Sequence, residues 1–237
     1  MTRALVLTAL DLEARGLARH LGLGLVSCSR WAQFRAGSTE IVAVGIGAGH
    51  LEARCGSVAK PDLVISAGVC GGLAPSLPPG ALVIPEAVLA PDGARRATAV
   101  LPGLERRGTL VSTREMVTTP AAKARLHLTA GALAVDMESA EILDWAGARG
   151  WPAVIVRAVA DPADRSLPHD LASAVDEDGR LHPLRAVRAA LARPRAIPAA
   201  LALRSGTEAA LRNVAHVLAQ IVAGPPGAGT TPRPQGL

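Results

Sequence analysis

Tyrosine is missing from this chain and phenylalanine occurs once, so aromatics make up only 2% of its 237 residues. A chain this poor in rings has little with which to stack bases, which argues against nucleic acid as a partner. Its core must be built from Ala, Leu and Val. Cysteine is scarce as well. Cys28, Cys55 and Cys70 are odd in number and lack CxxC spacing, which argues against a disulfide framework or zinc knuckle and suits a reducing cytoplasm. The six histidines show no HxxxH or HxH spacing, so no metal site is expected. No apolar run approaches the length of a membrane span. The first one, residues 4–10, ends at Asp11 and Glu13 with no signal-peptide cleavage site. Ser66 and Ser139 lack a GxSxG setting, which leaves a hydrolase triad unsupported.

What the chain does have is apolar bulk, with 49% hydrophobic residues, enough to bury a large core in one α/β domain. Its net charge of +5 comes mostly from Arg. An Arg-rich solvated surface accounts for that charge, and weak attraction to phosphates or an anionic membrane surface is also open.

Strand-like runs alternate with helical patterns. RALVLTA (3–9), EIVAVGIG (40–47), DLVISAG (62–68), ALVIPEAV (81–88), ALAVDM (132–137) and AVIVRAVA (153–160) read as strands. DLEARGLARHL (11–21), a segment through Leu51 and Val58, a segment from Thr119-Pro120 to Gly131, and ESAEILDWAGAR (138–149) read as helices. Residues 91–108 read as a loop. Helices interrupted by Pro194 and Pro198 are expected over 182–222, followed by a disordered tail over 223–237. The alternation predicts a single three-layer α/β domain over residues 1–222, with a mixed, largely parallel central sheet. Ligands of such sheets gather beyond the carboxyl ends of the strands.

Those ends carry acids and glycines. Gly45, Gly47 and Gly49 are spaced GxGxG rather than GxGxxG, and no acid follows where a ribose contact would be expected, so tight-turn glycines are favoured over a dinucleotide site. In SAGVCGGL, Gly68, Gly71 and Gly72 leave room for backbone to approach a ligand, or for a strand to pack closely on a helix. Asp136 and Glu138 either complement a helix dipole or, alternating about Met137, point to one side and recognise vicinal hydroxyls. Asp161 precedes Pro162 and is either an N-cap or a site acid, and Glu13 is either a first-turn helix acid or part of a cleft. Arg157, inside an apolar strand, requires a buried partner.

Taken together these segments resemble the nucleoside phosphorylase and nucleosidase superfamily over roughly residues 3–165. SAGVCGGLAPSLPPGALVIPEAV resembles its glycine-turn segment, AVDMES its ribose-binding "EME" segment, VRAVADPAD its "R-x-x-S-D-x-A-D" segment, and TALDLEAR its opening strand and helix. DMES, PADRSLP and the Arg/Pro-rich end are similar to the hopanoid-associated branch, linked to release of adenine from adenosylhopane.

The resemblance implies cleavage of a purine N-glycosidic bond. Asp161 would protonate N7 of the leaving base and Glu13 would lie on the nucleophile's side. Glu138 would hold the ribose hydroxyls with Met137 beneath the sugar, and Asp136, Gly68, Val69, Cys70 and Gly71 would complete the substrate site. No cofactor is implied. Inorganic phosphate is the expected co-substrate, with Arg15 and Gly47 as candidate contacts, and methylthioadenosine/S-adenosylhomocysteine-type hydrolysis is the alternative. An inactive nucleoside-binding protein of the same fold is a third reading.

Ser66 stands where hexameric phosphorylases carry a phosphate-binding Arg, Val69 replaces a Ser, Ala160 replaces the Ser before the catalytic Asp, and Asp136 replaces a Glu. A homo-oligomer is expected. The apolar residues Leu184, Val187, Leu191, Leu201, Leu203, Leu211, Val214, Leu218 and Val222 are expected either to pack as core or to flank a greasy entrance, with peripheral membrane contact, for a lipid-linked nucleoside.

Overall fold

The computed structural model describes residues 2–27, 29–167 and 197–223. Its centre is an eleven-stranded mixed sheet. Strands β1 (Ala4–Thr8), β4 (Thr39–Ala43), β5 (Leu63–Gly72) and β11 (Ala153–Asp161) form its middle and run parallel. They are nearly continuous runs of Val, Ile, Leu and Ala because helices cover both faces, so neither face alternates with polar residues.

The long strand β5 forks. Its first half pairs with β1, while Gly71 and Gly72 pair antiparallel with β10 (Ala134–Asp136) and the other edge pairs with β11. Beyond β10 lie β9 (Thr109–Ser112), β7 (Ala87–Leu89) and β8 (Arg95–Ala97). On the far side of β4 lie β3 (Gln33–Ala36) and β2 (Gly24–Leu25).

Several expectations need correction. The run 81–88 is not one strand. It divides into β6 (Leu82–Val83), paired with β11, and β7, paired with β8 and β9. Pro85 lies at the break, where a residue with no backbone N–H cannot continue a ladder. The segment 91–108 is not wholly loop, because it contains β8. The strands β2, β3 and β9 were not foreseen.

Helix α1 (Asp11–Leu21) packs with the C-terminal helix on one face of the sheet, where Ala14, Leu17 and Ala18 are buried. The short α2 (Leu51–Cys55) and α4 (Ser139–Ala148) cover the other face. α3 (Pro120–Ala130) begins at Thr119, whose hydroxyl accepts from the Ala122 N–H, with proline in the first turn. The last described helix, α5 (Ile197–Ala223), holds Pro198 in its first turn rather than being interrupted by it.

Leu211, Val214 and Leu218 of α5 are buried against the sheet and α1. They belong to the core and do not flank an entrance. Leu184, Val187, Leu191, Pro194 and the side chains of Leu201 and Leu203 lie outside the described residues, as does the tail from residue 224. No described helix is long and apolar enough to cross a membrane.

α1 and α5 meet closely: a Cβ built on Gly16 would stand 2.9 Å from Leu211 Cδ1. Leu211→Ala should therefore leave a cavity between helix and sheet, at a cost of about 2–5 kcal/mol. Chemical denaturation monitored by circular dichroism would measure it.

Candidate active site

The carboxyl end of β5 carries VCGG, and five other segments converge on it. A cavity of about 190 Å³ there is lined by Glu13, Val69, Cys70, Gly71, Met137, Glu138 and Asp161, with apolar walls from Leu10, Met116 and Leu167. A larger cavity of about 420 Å³ lies beside Arg3, Gln33, Glu40 and Arg54. It gathers no comparable cluster of buried ionisable groups.

Glu13 is only 2% exposed. As the third residue of α1 it reaches back to the helix start, where Oε2 accepts from the Leu10 N–H at 3.0 Å. Its Oε1 accepts from the Val69 N–H at 2.9 Å. The helix acid and the cleft acid are thus the same residue. Val69 contributes through its backbone, so the missing serine hydroxyl is no obstacle to this contact.

Arg157 is fully buried in β11. Its Nη2 lies 2.9 Å from Asp136 Oδ2 and 3.5 Å from Glu138 Oε2, and it donates to Ser66 Oγ at 2.9 Å. Ser66 thus helps to hold this guanidinium. Nη1 and Nε have no hydrogen-bond partner among the described residues. Nη1 sits beside Gly68, where an added Cβ would be 2.8 Å from it and 2.5 Å from Glu13 Oε1. Only glycine leaves room for the carboxylate and guanidinium to approach each other here.

Asp136 and Glu138 do different jobs. Asp136 Oδ1 accepts from Ser112 Oγ at 2.6 Å, and Oδ2 accepts from Ser139 Oγ while pairing with Arg157. Although it borders the cavity, its oxygens are committed to this internal network. β10 ends at Asp136, so the strand alternation does not extend to Glu138, which caps α4. Glu138 Oε1 accepts from the Gly47 N–H at 3.1 Å, which engages the Gly47 donor considered for phosphate. Gly45 and Gly47 adopt left-handed φ values of 83° and 61° as that turn bends toward Glu138. Arg15, the other phosphate candidate, points to solvent from α1 and does not line the cavity.

On the other side of the cavity Asp161 ends β11. Its Oδ2 lies 2.5 Å from the ammonium of Lys123, a fully buried residue that sequence reasoning passed over. One signal was present: Lys123 is one of only two lysines in an arginine-rich chain. Burial pushes the Asp161 carboxyl above its usual range, opposed by Lys123 and Arg165. Burial likewise raises Glu13, opposed by Arg157. Glu138 is pushed up to about 7, by burial and then by the neighbouring Asp136 and Glu13, with Arg157 opposing. Cys70 is raised by burial and is no ready nucleophile. No cluster able to hold a metal ion occurs among the described residues.

A covered mixed sheet with its ionisable cluster beyond the strand ends is the nucleosidase and phosphorylase architecture. The chain belongs to the phosphorylase superfamily, whose profile matches residues 33–106 and 102–192. A futalosine hydrolase from Streptomyces coelicolor is 35% identical over 156 residues, 52% of this chain and 66% of the relative, just under two thirds of its length. Among solved structures, a 5′-methylthioadenosine/S-adenosylhomocysteine nucleosidase from Neisseria meningitidis in complex with methylthio-immucillin-A superposes with a TM-score of 0.65 at 21% identity, covering 94% of this chain and 99% of that one. A futalosine hydrolase from Helicobacter pylori gives 0.64 at 17% identity, covering 94% and 97%.

The raised Glu138 carboxyl has a consequence for stability. Its folded pKa of about 7 exceeds the ordinary 4.5, so between these values the native state holds more protons than the unfolded chain. Stability should fall as pH rises through this window and level off above it. Glu138→Gln should flatten that decline in urea denaturation series run from pH 4.5 to 8.

Proposed function

We propose that the protein hydrolyses the N-glycosidic bond of a purine nucleoside, releasing the free base. One observation carries this reading: the buried acids Glu13 and Asp161 line one cavity, and Glu13 Oε1 meets Arg157 Nη1 at Gly68, next to the lining residue Val69. Breaking C1′–N9 builds positive character on the sugar and negative charge on the base. A carboxylate and a hydrogen-bonded water meet the first need, and an acid at N7 meets the second. Glu138 and Met137, which both line the cavity, would receive the ribose, the carboxyl accepting from its hydroxyls.

Water is favoured over phosphate on charge. Arg157 is shared among Asp136, Glu138 and Glu13, so a phosphate dianion would enter among carboxylates, and no described guanidinium lines the cavity. The two relatives described as futalosine hydrolases, and the nucleosidase fold neighbour, agree with hydrolysis. The apolar walls at Leu10, Met116 and Leu167 suit a nucleoside with an apolar 5′ substituent, which fits methylthioadenosine. Adenosylhopane fits the same walls, and its further support is the DMES and PADRSLP segments. Phosphorolysis is supported by resemblance to the hopanoid-associated branch rather than by a contact at this site.

Adenosine, inosine and methylthioadenosine should be incubated with the protein with and without phosphate. Free base and reducing sugar should form at a rate indifferent to phosphate. Sugar 1-phosphate formed only with phosphate makes the protein a phosphorylase, and no base from any purine nucleoside, including adenosylhopane in vesicles, removes the reading altogether. Asp161→Asn, which cannot deliver the proton, should lower kcat by about 10²–10⁴-fold with the circular dichroism spectrum unchanged.

A further inference from the structure

The Lys123 ammonium is the buried group that the hydrolytic reading leaves without a task. Lys123 projects from the first turns of α3 and is 0% exposed. Four oxygens surround its Nζ: Asp161 Oδ2 at 2.5 Å, Pro162 O at 2.8 Å, Arg165 O at 3.1 Å and Asp161 O at 3.5 Å. All are acceptors. An ammonium has three donors and no acceptor, whereas a neutral amine would turn a lone pair toward one of these oxygens.

The same nitrogen fixes both the side chain and the backbone of the segment that carries the acid. It binds Oδ2 of Asp161, so Oδ1 is the oxygen of that carboxyl that Lys123 does not hold. Its bonds to the carbonyls of residues 162 and 165 set the path of the loop that reaches Leu167, a wall of the cavity. The Leu167 N–H donates to Thr118 O at 2.9 Å, joining this loop to the residue before the α3 cap. Helix, acid and cavity wall are thus tied through one charge.

We propose that Lys123 is a positioning residue that aims Asp161 at the leaving base and sets how readily it yields its proton. The inference rests on the hydrolytic reading for its catalytic consequence, but not for its physical content. The charged or titratable groups facing Asp161 are Lys123 from α3, Arg165 from its own loop and the Cys70 thiol of β5. Among the described residues, Lys123 alone is in contact. Removing its charge leaves burial less opposed, so the Asp161 carboxyl should hold its proton to higher pH and be a weaker, less well-aimed acid.

The test uses Lys123→Met and Lys123→Gln, checked for native circular dichroism. Infrared difference spectra report the protonated carboxyl of Asp161, identified as the band absent from Asp161→Asn. The pH at which this band is half lost should rise by about one unit or more in the neutral variants. Lys123→Arg, which keeps the charge, should restore it toward wild type. For purine release, kcat should fall about ten-fold or more while KM changes little.

A titration unmoved in folded variants overturns the proposal. If the band shifts but wild type releases no purine, the hydrolytic reading fails and the coupling stands. Should neither neutral variant fold, the ¹⁵Nζ signal of Lys123 in wild type decides, since only Lys60 competes for assignment. A slowly exchanging ammonium that follows the Asp161 titration and shifts in Asp161→Asn supports the proposal. A rapidly exchanging signal indifferent to Asp161 overturns it.

Discussion

The fold around the site is organised by one cation that cannot leave. Arg157 lies in the middle of a strand buried on both faces, where an uncompensated guanidinium would cost several kcal/mol. Compensation comes from three places in the chain. Asp136 and Glu138 bring carboxylates from the β10–α4 junction, Ser66 brings a hydroxyl from β5, and Glu13 stands beside it from α1. Each contributor also performs a local task. Glu13 caps its helix, Glu138 receives the glycine turn at residue 47, and Asp136 binds the Ser139 hydroxyl at the start of α4. Folding the sheet and assembling the cluster are therefore a single event.

Because one guanidinium serves three carboxyls, the cluster is short of positive charge. Burial then makes protonation the cheaper remedy, and Glu13 and Glu138 are both raised. The same deficit of positive charge disfavours a bound dianion. Glycine at 68 follows from the same constraint, since any Cβ would intrude between Glu13 and Arg157.

Much of this was legible in the sequence because it is local. Apolar runs ending in glycines or acids marked the principal strands, and Thr119-Pro120 marked a helix start. The need of Arg157 for a partner was also plain. What escaped depends on tertiary geometry. The alternation of Asp136 and Glu138 would have aimed both into a cleft, but β10 stops between them and hands Glu138 to the helix start. Arg15 neighbours Glu13 in sequence, yet two steps around a helix turn it away from the cavity. The strands β2 and β8 are short edge strands with exposed residues, so hydrophobic patterning hardly registers them. Lys123 sits in an alanine-rich helix whose sequence gives no sign of which face is buried. Its partner lies 38 residues away.

The separation of the two halves of the site depends on an irregularity in β11. Pairing with β5 runs in register from Ala153 to Val159, then skips a residue so that Asp161 lies opposite Gly71. In an unbroken strand Asp161 would share the face of Arg157 and Val159. The extra residue, Ala160, resets the alternation, which sends the acid toward Lys123 while the cation stays with Glu13 and Glu138. The bulge falls at Ala160, and its carbonyl is covered by α5. A Cβ on Gly206 would come within 2.8 Å of Ala160 O, so glycine at 206 lets the helix close over the bulge. The C-terminal helix thereby braces the backbone that divides Asp161 from Arg157, so that one strand supplies both a carboxyl and a cation to the cluster while keeping them apart.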